Sequence, residues 1–206
     1  YFLAINENQK KILSKNINGQ ILVSGSITSN YKVLKPDRIK YSLLFISEFR
    51  GEKTLFIDLH RHIAKILYEF CEREGLEFGI AYNALRKDKY GKLNINEEIE
   101  FFKNCLGIVD NTLLNTYEKA SKSELIICIS SNVGLELISH GYKVLFINAY
   151  ANSDQKYILP HFKKDEGSFW TRSTNKNKIY NMIVNILKKS PDDWSYYLNQ
   201  NDLLTG

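Results

Sequence analysis

From Tyr41 onward the chain alternates short, continuous apolar runs with stretches whose apolar residues recur three and four apart, and few folds accept that pattern. "YSLLFISEF" is a continuous apolar run, the mark of a strand buried on both faces. "DLHRHIAKILYEFCEREG" puts Ile63, Ile66, Leu67 and Phe70 on one helical face and closes at Gly75. "LEFGIAYNAL" predicts a second strand. "NEEIEFFKNCLG" predicts a second helix, N-capped near Asn96 with Glu97 and Glu98 in its first turn. The alternation continues through "NTLLNTYEKAS" (helix), "ELIICIS" (strand), "VGLELISH" (helix, ended by Gly141) and "KVLFINAY" (strand). An irregular stretch, "ANSDQKYILPHFKKDEGSFWTRS", leads to the amphipathic helix "NKIYNMIVNILKKS" and a further one through "PDDWSYYLNQ". Strands joined through helices by short connections require a parallel sheet with helices on both faces and right-handed crossovers. The expectation is an α/β, Rossmann-like domain over residues 40–206.

Upstream the pattern differs. Residues 1–34 read as a helix-like "NQKKILSKNI", a turn at "NGQ" and a strand "ILVSGS". "VLKPDRIK", with Pro36 and several charges, reads as a hinge or linker. The chain begins at Tyr1, without a methionine, and is read as a fragment or an excised domain.

Charge narrows the partners. The net charge of +5 lies in residues 1–40, which hold seven Lys/Arg against two Asp/Glu, whereas residues 41–206 hold twenty-one of each. A neutral body offers no basic face, so nucleic acid is not expected as a partner. Cys71, Cys105 and Cys128 show no CxxC spacing and fall in apolar segments, as reduced thiols of a cytoplasmic protein do. No apolar run approaches the roughly 18 residues of a membrane span, and no signal peptide appears.

Ligands of open parallel sheets bind outside the carboxyl ends of the strands, so the strand ends supply the candidates. They are Ser47, Glu48, Arg50 and Gly51; Tyr82, Asn83 and Arg86; Ser130, Ser131, Asn132 and Gly134; and Asn148 and Tyr150. In "SSNVGLE" the free N–H groups of a helix start can be satisfied by the serine hydroxyls or can take a phosphate. Gly134 would allow close approach of a ligand, and Glu136, one turn in, could accept hydrogen bonds from a ribose diol. The competing reading is an N-cap with a helix-dipole glutamate.

"SEFRG" offers Arg50 to a phosphate or carboxylate and Glu48 to positioning or acid–base work; the competing reading is an exposed ion pair. Of His60 and His62, one could face the cleft near a helix start. Their i, i+2 spacing argues against a shared zinc ion. His140, beside Gly141, suits a helix C-terminus, and His161 lies in the irregular stretch. Phe169, Trp170 and Trp194 are read as covering the sheet or packing the terminal helix, with anchors for a protein partner as the other reading. P-loop, GxGxxG and GxSxG patterns are absent.

The segment "YEKASKSELIICISSNVGLELISHGYKVLFIN" resembles the C-terminal, donor-binding domain of GT-B glycosyltransferases of the bacterial surface-carbohydrate or capsule type. "GSFWTRS" followed by "KKSPDDWSYYL" is similar to the tail of such proteins, and "INENQKKIL" to "ILVSGSITSN" to the end of their N-terminal domain. The resemblance implies that residues 1–39 close an N-terminal domain and enter the linker, and that residues 40–206 bind a nucleotide-sugar. It implies phosphate on the Ser130–Gly134 loop, ribose near Glu136, the base against the backbone around Tyr82–Asn83, and Arg50 near phosphate. Glu48, Arg50 and His60 are the candidate catalytic residues. No metal and no cofactor beyond the donor are implied, because helix dipoles and basic side chains offset the leaving phosphate. A glycan or glycolipid acceptor and the N-terminal domain are the implied partners, with peripheral association at the inner face of the membrane. The same two-domain plan also serves nucleotide-sugar epimerases and polyol-phosphate transferases, and a non-catalytic interaction module is the reading from another class.

Overall fold

The computed structural model describes residues 1–4, 10–11, 13–23, 37–51, 57–83, 95–108, 110, 112–149 and 166–200. Two short strands, β1 (Phe2–Ala4) and β2 (Ile21–Val23), pair in parallel, with Leu3 opposite Leu22. β1 carries no alternation that would betray it in sequence, since Phe2 and Leu3 are both exposed. The helix-like stretch that follows is described only in part; Ser14 N–H donates to Lys10 O and Ile17 N–H to Leu13 O, both at 2.9 Å.

The expected α/β domain follows: β3 (Tyr41–Ile46), α1 (Ile57–Glu74), β4 (Phe78–Ala81), α2 (Ile95–Leu106), α3 (Thr116–Ala120), β5 (Ser123–Cys128), α4 (Asn132–Ser139), β6 (Val144–Ile147), β7 (Trp170–Thr171), α5 (Lys176–Leu187) and α6 (Pro191–Gln200). All five strands are parallel, in the order β4-β3-β5-β6-β7. Consecutive residues Leu43, Leu44 and Phe45, and Ile126, Ile127 and Cys128, are fully buried, so both faces of the sheet are covered, as in a Rossmann-like fold. α1 buries Ile63, Ile66, Leu67 and Phe70 and stops at Gly75, whose φ of 65° suits a residue without Cβ. α3 is only five residues long and depends on its cap. The Asn115 side chain accepts from the Tyr117 and Glu118 amides, and Glu118 accepts from the Asn115 amide, all at 3.0 Å.

Three details depart from expectation. Asn96 lies within the first turn of α2, which starts one residue earlier, so it is not the cap. Glu98 turns into the protein and is fully buried instead of serving the helix dipole in solvent. β7 hides in the stretch read as irregular; its two residues are too few for a periodic signal. The aromatic tail belongs to the core. Phe169 and Trp194 are buried, Trp170 is half-buried against them, and the Trp194 indole N–H donates to the Tyr142 carbonyl at 3.0 Å. Phe169 and Trp194 are therefore not exposed anchors for a partner.

β4 is an edge strand, and its outward backbone groups need partners. Two side chains provide them. The Lys119 ammonium donates to the Ile80 carbonyl at 2.5 Å, and the Asp110 carboxylate accepts from the Ile80 amide at 3.2 Å. Lys119 and Asp110 pair with each other at 2.7 Å with side-chain exposures of 0% and 9%. Burial pushes the Asp110 carboxyl up, but the hydrogen bond and charge of Lys119, with the Thr112 and Ile80 amides, hold it below the usual carboxylate value. Cys71 and Cys128 are buried, Cys105 half-buried, and all three are free. Among the described residues no helix is long and apolar enough to cross a membrane.

Candidate functional site

The chain runs from β3 outward to β4 on one side, then returns to place β5 on the other, so the strand order reverses between β3 and β5. A crevice opens at such a reversal, beyond the carboxyl ends of the two strands. Glu48, two residues past β3, and Ser130, two past β5, meet there. The Ser130 amide donates to Glu48 Oε1 at 2.5 Å, and the Ser130 hydroxyl donates to Glu48 Oε2. Burial pushes the Glu48 carboxyl up from the ordinary glutamate range, while the two Ser130 bonds and the Arg50 guanidinium charge pull against it. Ser131 is the N-cap of α4, its hydroxyl accepting from the Val133 amide at 3.3 Å. The cap and the anion seat overlap: the Ser131 hydroxyl caps the helix, while its amide joins the Ser130 amide and hydroxyl in holding an anion. That anion is the protein's own carboxylate.

Beneath this pair lies a second polar cluster. The Ser47 hydroxyl donates to Glu98 Oε1 and lies 3.4 Å from His60 Nε2. Glu98 Oε1 also accepts from the Asn83 amide at 3.0 Å, and the Asn83 side chain donates to the Phe49 carbonyl at 2.7 Å. These bonds tie the ends of β3 and β4 to α2. His60 is buried, with the rings of Phe45, Phe102 and Phe101 at 5.0, 6.0 and 6.4 Å, and burial lowers its pKa from 6.5 to about 4. It is a neutral imidazole under the crevice and not a side chain open to it. His62 points elsewhere, with Nε2 at 3.4 Å from the Thr174 carbonyl.

The other expected site residues are distributed unevenly. Arg50 is exposed beside Glu48, and Asn132 is exposed at the start of α4. Glu136 is half-buried and accepts from the Tyr117 hydroxyl of α3. Tyr82 is buried, its ring against Phe102 at 6.0 Å and under the Lys119 ammonium at 5.1 Å. Asn83 has its amide N–H and its side-chain amide committed to the cluster below. Gly134 serves packing: a Cβ there would lie 2.6 Å from Phe146 Cε1 and 2.7 Å from Cys128 Sγ. Its smallness lets α4 settle on β5 and β6, and ligand approach is not what requires it. Gly134→Ala is expected to destabilise the fold by about 2 kcal/mol through overpacking, measured by denaturant titration; an unchanged midpoint would refute this packing account. Arg86, Tyr150 and His161 lie outside the described residues.

Sequence reasoning missed Glu98, Tyr117, Asp110 and Lys119. Glu98 had a signal, since it falls at helical spacing with Ile95 and Phe101–Phe102, an acid on an apolar face. The other three had none, because their partners are set by tertiary pairing. Asn148, named as a strand end, is buried, and its Oδ1 has no hydrogen-bond partner among the described residues. The β5–β6 register ends with Cys128 opposite Phe146; Asn148 lies one residue past β6, and its amide donates to the Thr171 carbonyl at 2.8 Å. Among the described residues no group of three His, Cys, Asp or Glu could hold a metal ion.

No curated protein matches the chain. A family model described as "putative O-antigen biosynthesis protein" matches residues 1–205. With nearly the whole chain matched, the protein belongs to this O-antigen biosynthesis family, and the family's name implies a role in building a surface carbohydrate.

Proposed function

We propose that the chain is the donor-binding part of a glycosyltransferase of the GT-B plan, acting in O-antigen synthesis. The observation that carries this reading is the meeting of the Ser130 amide and hydroxyl with an anion at the strand-order reversal between β3 and β5. A helix start directly after a parallel strand is where nucleotide phosphates are held, by N–H donors and the positive end of the helix dipole. In the reaction an acceptor hydroxyl forms a bond to the anomeric carbon and the bond from that carbon to the phosphate oxygen breaks. The nucleotide leaves with the electron pair, and the hydroxyl proton passes to a base. The raised pKa of Glu48 and its place beside the seat suit it to take that proton, with Arg50 available to the phosphate. His60, out of reach of the crevice, supports Ser47 and the floor of the site. Glu136, fixed by Tyr117 on the helix that starts at the seat, is the candidate for the ribose.

The test is a calorimetric titration of the folded chain with CDP, UDP, GDP and the corresponding monophosphates. One base is expected to bind in preference, and Ser130→Ala is expected to weaken that nucleotide about tenfold, or 1.4 kcal/mol. A folded chain that no nucleotide binds would sink the reading.

A further inference from the structure

We propose that Glu48 is a built-in competitor for the anion seat, and that a ligand enters by exchange: its diphosphate takes the Ser130 amide and hydroxyl, and the Glu48 side chain is released into the crevice. The inference rests on the donor-site reading above and adds how that site is controlled and what it selects.

Three observations carry it. The first is that both Ser130 donors are already used, each on one oxygen of the same carboxylate, so the seat is filled without a ligand. A phosphate needs these same donors, and a carboxylate and a phosphate cannot both have them. The second is the means of release. The backbone on either side of Glu48 is fastened, Ser47 N–H to the Ala81 carbonyl at 3.0 Å and the Phe49 carbonyl by the Asn83 side chain at 2.7 Å, so release needs only rotation of the Glu48 side chain away from Ser130. The third is independent of the seat's own bonds. Asn148 Oδ1, one residue past the neighbouring strand β6, is a buried acceptor with no donor among the described residues. A hydroxyl or amino group carried by the ligand beyond its phosphates would satisfy it. A site with filled donors and an empty acceptor is suited to exchange, since the ligand gains a bond that Glu48 cannot make.

Exchange also sets selectivity. A tethered carboxylate acts at an effective concentration on the order of millimolar or above, so a small anion of similar charge gains little by replacing it. A diphosphate brings more charge and more acceptor oxygens to the same helix start and to Arg50. The seat therefore prefers diphosphates to monophosphates, and Glu48 sets the threshold.

The test uses inorganic phosphate and pyrophosphate as probes, titrated by calorimetry into the full chain and into Glu48→Gln, Glu48→Ala and Ser130→Ala. Pyrophosphate is expected to bind the unmutated chain at least tenfold more tightly than phosphate. Glu48→Gln and Glu48→Ala are expected to bind pyrophosphate about tenfold more tightly than the unmutated chain, and a Ser130→Ala change added to Glu48→Gln is expected to remove that gain. In the unmutated chain, saturating pyrophosphate is expected to move the Ser130 amide resonance, which decides the matter even if a Glu48 variant does not fold. If the unmutated chain binds pyrophosphate while both Glu48 variants bind it equally or less tightly, or while the Ser130 resonance stays in place, exchange is overturned and the donor-site reading stands. If neither the chain nor any folded variant binds pyrophosphate or a nucleoside diphosphate, the donor-site reading fails and exchange with it.

Discussion

Lys119→Met is expected to lower the free energy of unfolding by about 3–5 kcal/mol, a large share of the stability of a domain this size. The substitution keeps the apolar stem of the side chain, so the loss comes from the head group. Without the ammonium, Asp110 is left as a nearly buried charge with its closest counter-ion gone, and the Ile80 carbonyl loses its donor. Coupling the change to Asp110→Asn separates the two parts. The double variant has no stranded charge, and Asn can still accept from the Ile80 amide, but the Ile80 carbonyl still lacks a donor. A residual cost of about 1–3 kcal/mol is therefore expected. Equilibrium denaturation of the three variants measures both steps. A single-variant loss below about 1 kcal/mol, or a double variant no better than Lys119→Met, contradicts this account of how the edge strand is closed.

Acid should weaken the protein through His60. Its imidazole titrates near 6.5 when unfolded, and burial among Phe45, Phe101 and Phe102 brings it to about 4 in the fold. The shift is downward, so between pH 6.5 and pH 4 the unfolded chain binds a proton that the folded chain does not. Stability is fully present above pH 6.5 and declines as the pH falls, by about 3 kcal/mol at pH 4. Carboxylates titrate in the lower part of this window as well, so the measurement compares the unmutated chain with His60→Leu, whose side chain suits the aromatic surroundings. The variant is expected to lose markedly less stability between pH 7.5 and pH 4.5. Parallel pH curves for the two proteins would show that His60 is not what responds.

The fold was legible where burial imposes a period. The run from Tyr41 and the run ending at Cys128 are buried on both faces, and α1 carries its apolar residues at helical spacing, so each could be named from the chain alone. Elements of two or three residues could not: Phe2–Ala4 and Trp170–Thr171 are strands only because another strand lies beside them. The site was legible as a place. Strand-end reasoning selected Glu48 and Ser130 separately, but nothing in a linear reading shows that residues 82 positions apart share hydrogen bonds. The same limit explains Gly134. A glycine near a helix start looks like room for a ligand, and only the neighbouring strand shows that Phe146 fills that room. His60 was read toward the crevice because of its position in the helix; the angular phase of one turn turned it inward.

The bond from the Trp194 indole to the Tyr142 carbonyl gives the fold an order in time. Tyr142 follows α4 directly, so the loop behind the helix that starts at the anion seat is fastened by a residue some fifty positions later in the chain. During synthesis β3, α1, β4 and β5 emerge first and can gather around one another, whereas the fastening waits for α6. Until Trp194 emerges, Phe169 lacks its T-shaped neighbour at 6.1 Å and the Tyr142 carbonyl lacks its donor. A growing chain therefore holds the strands of its site well before it holds the helix that finishes it.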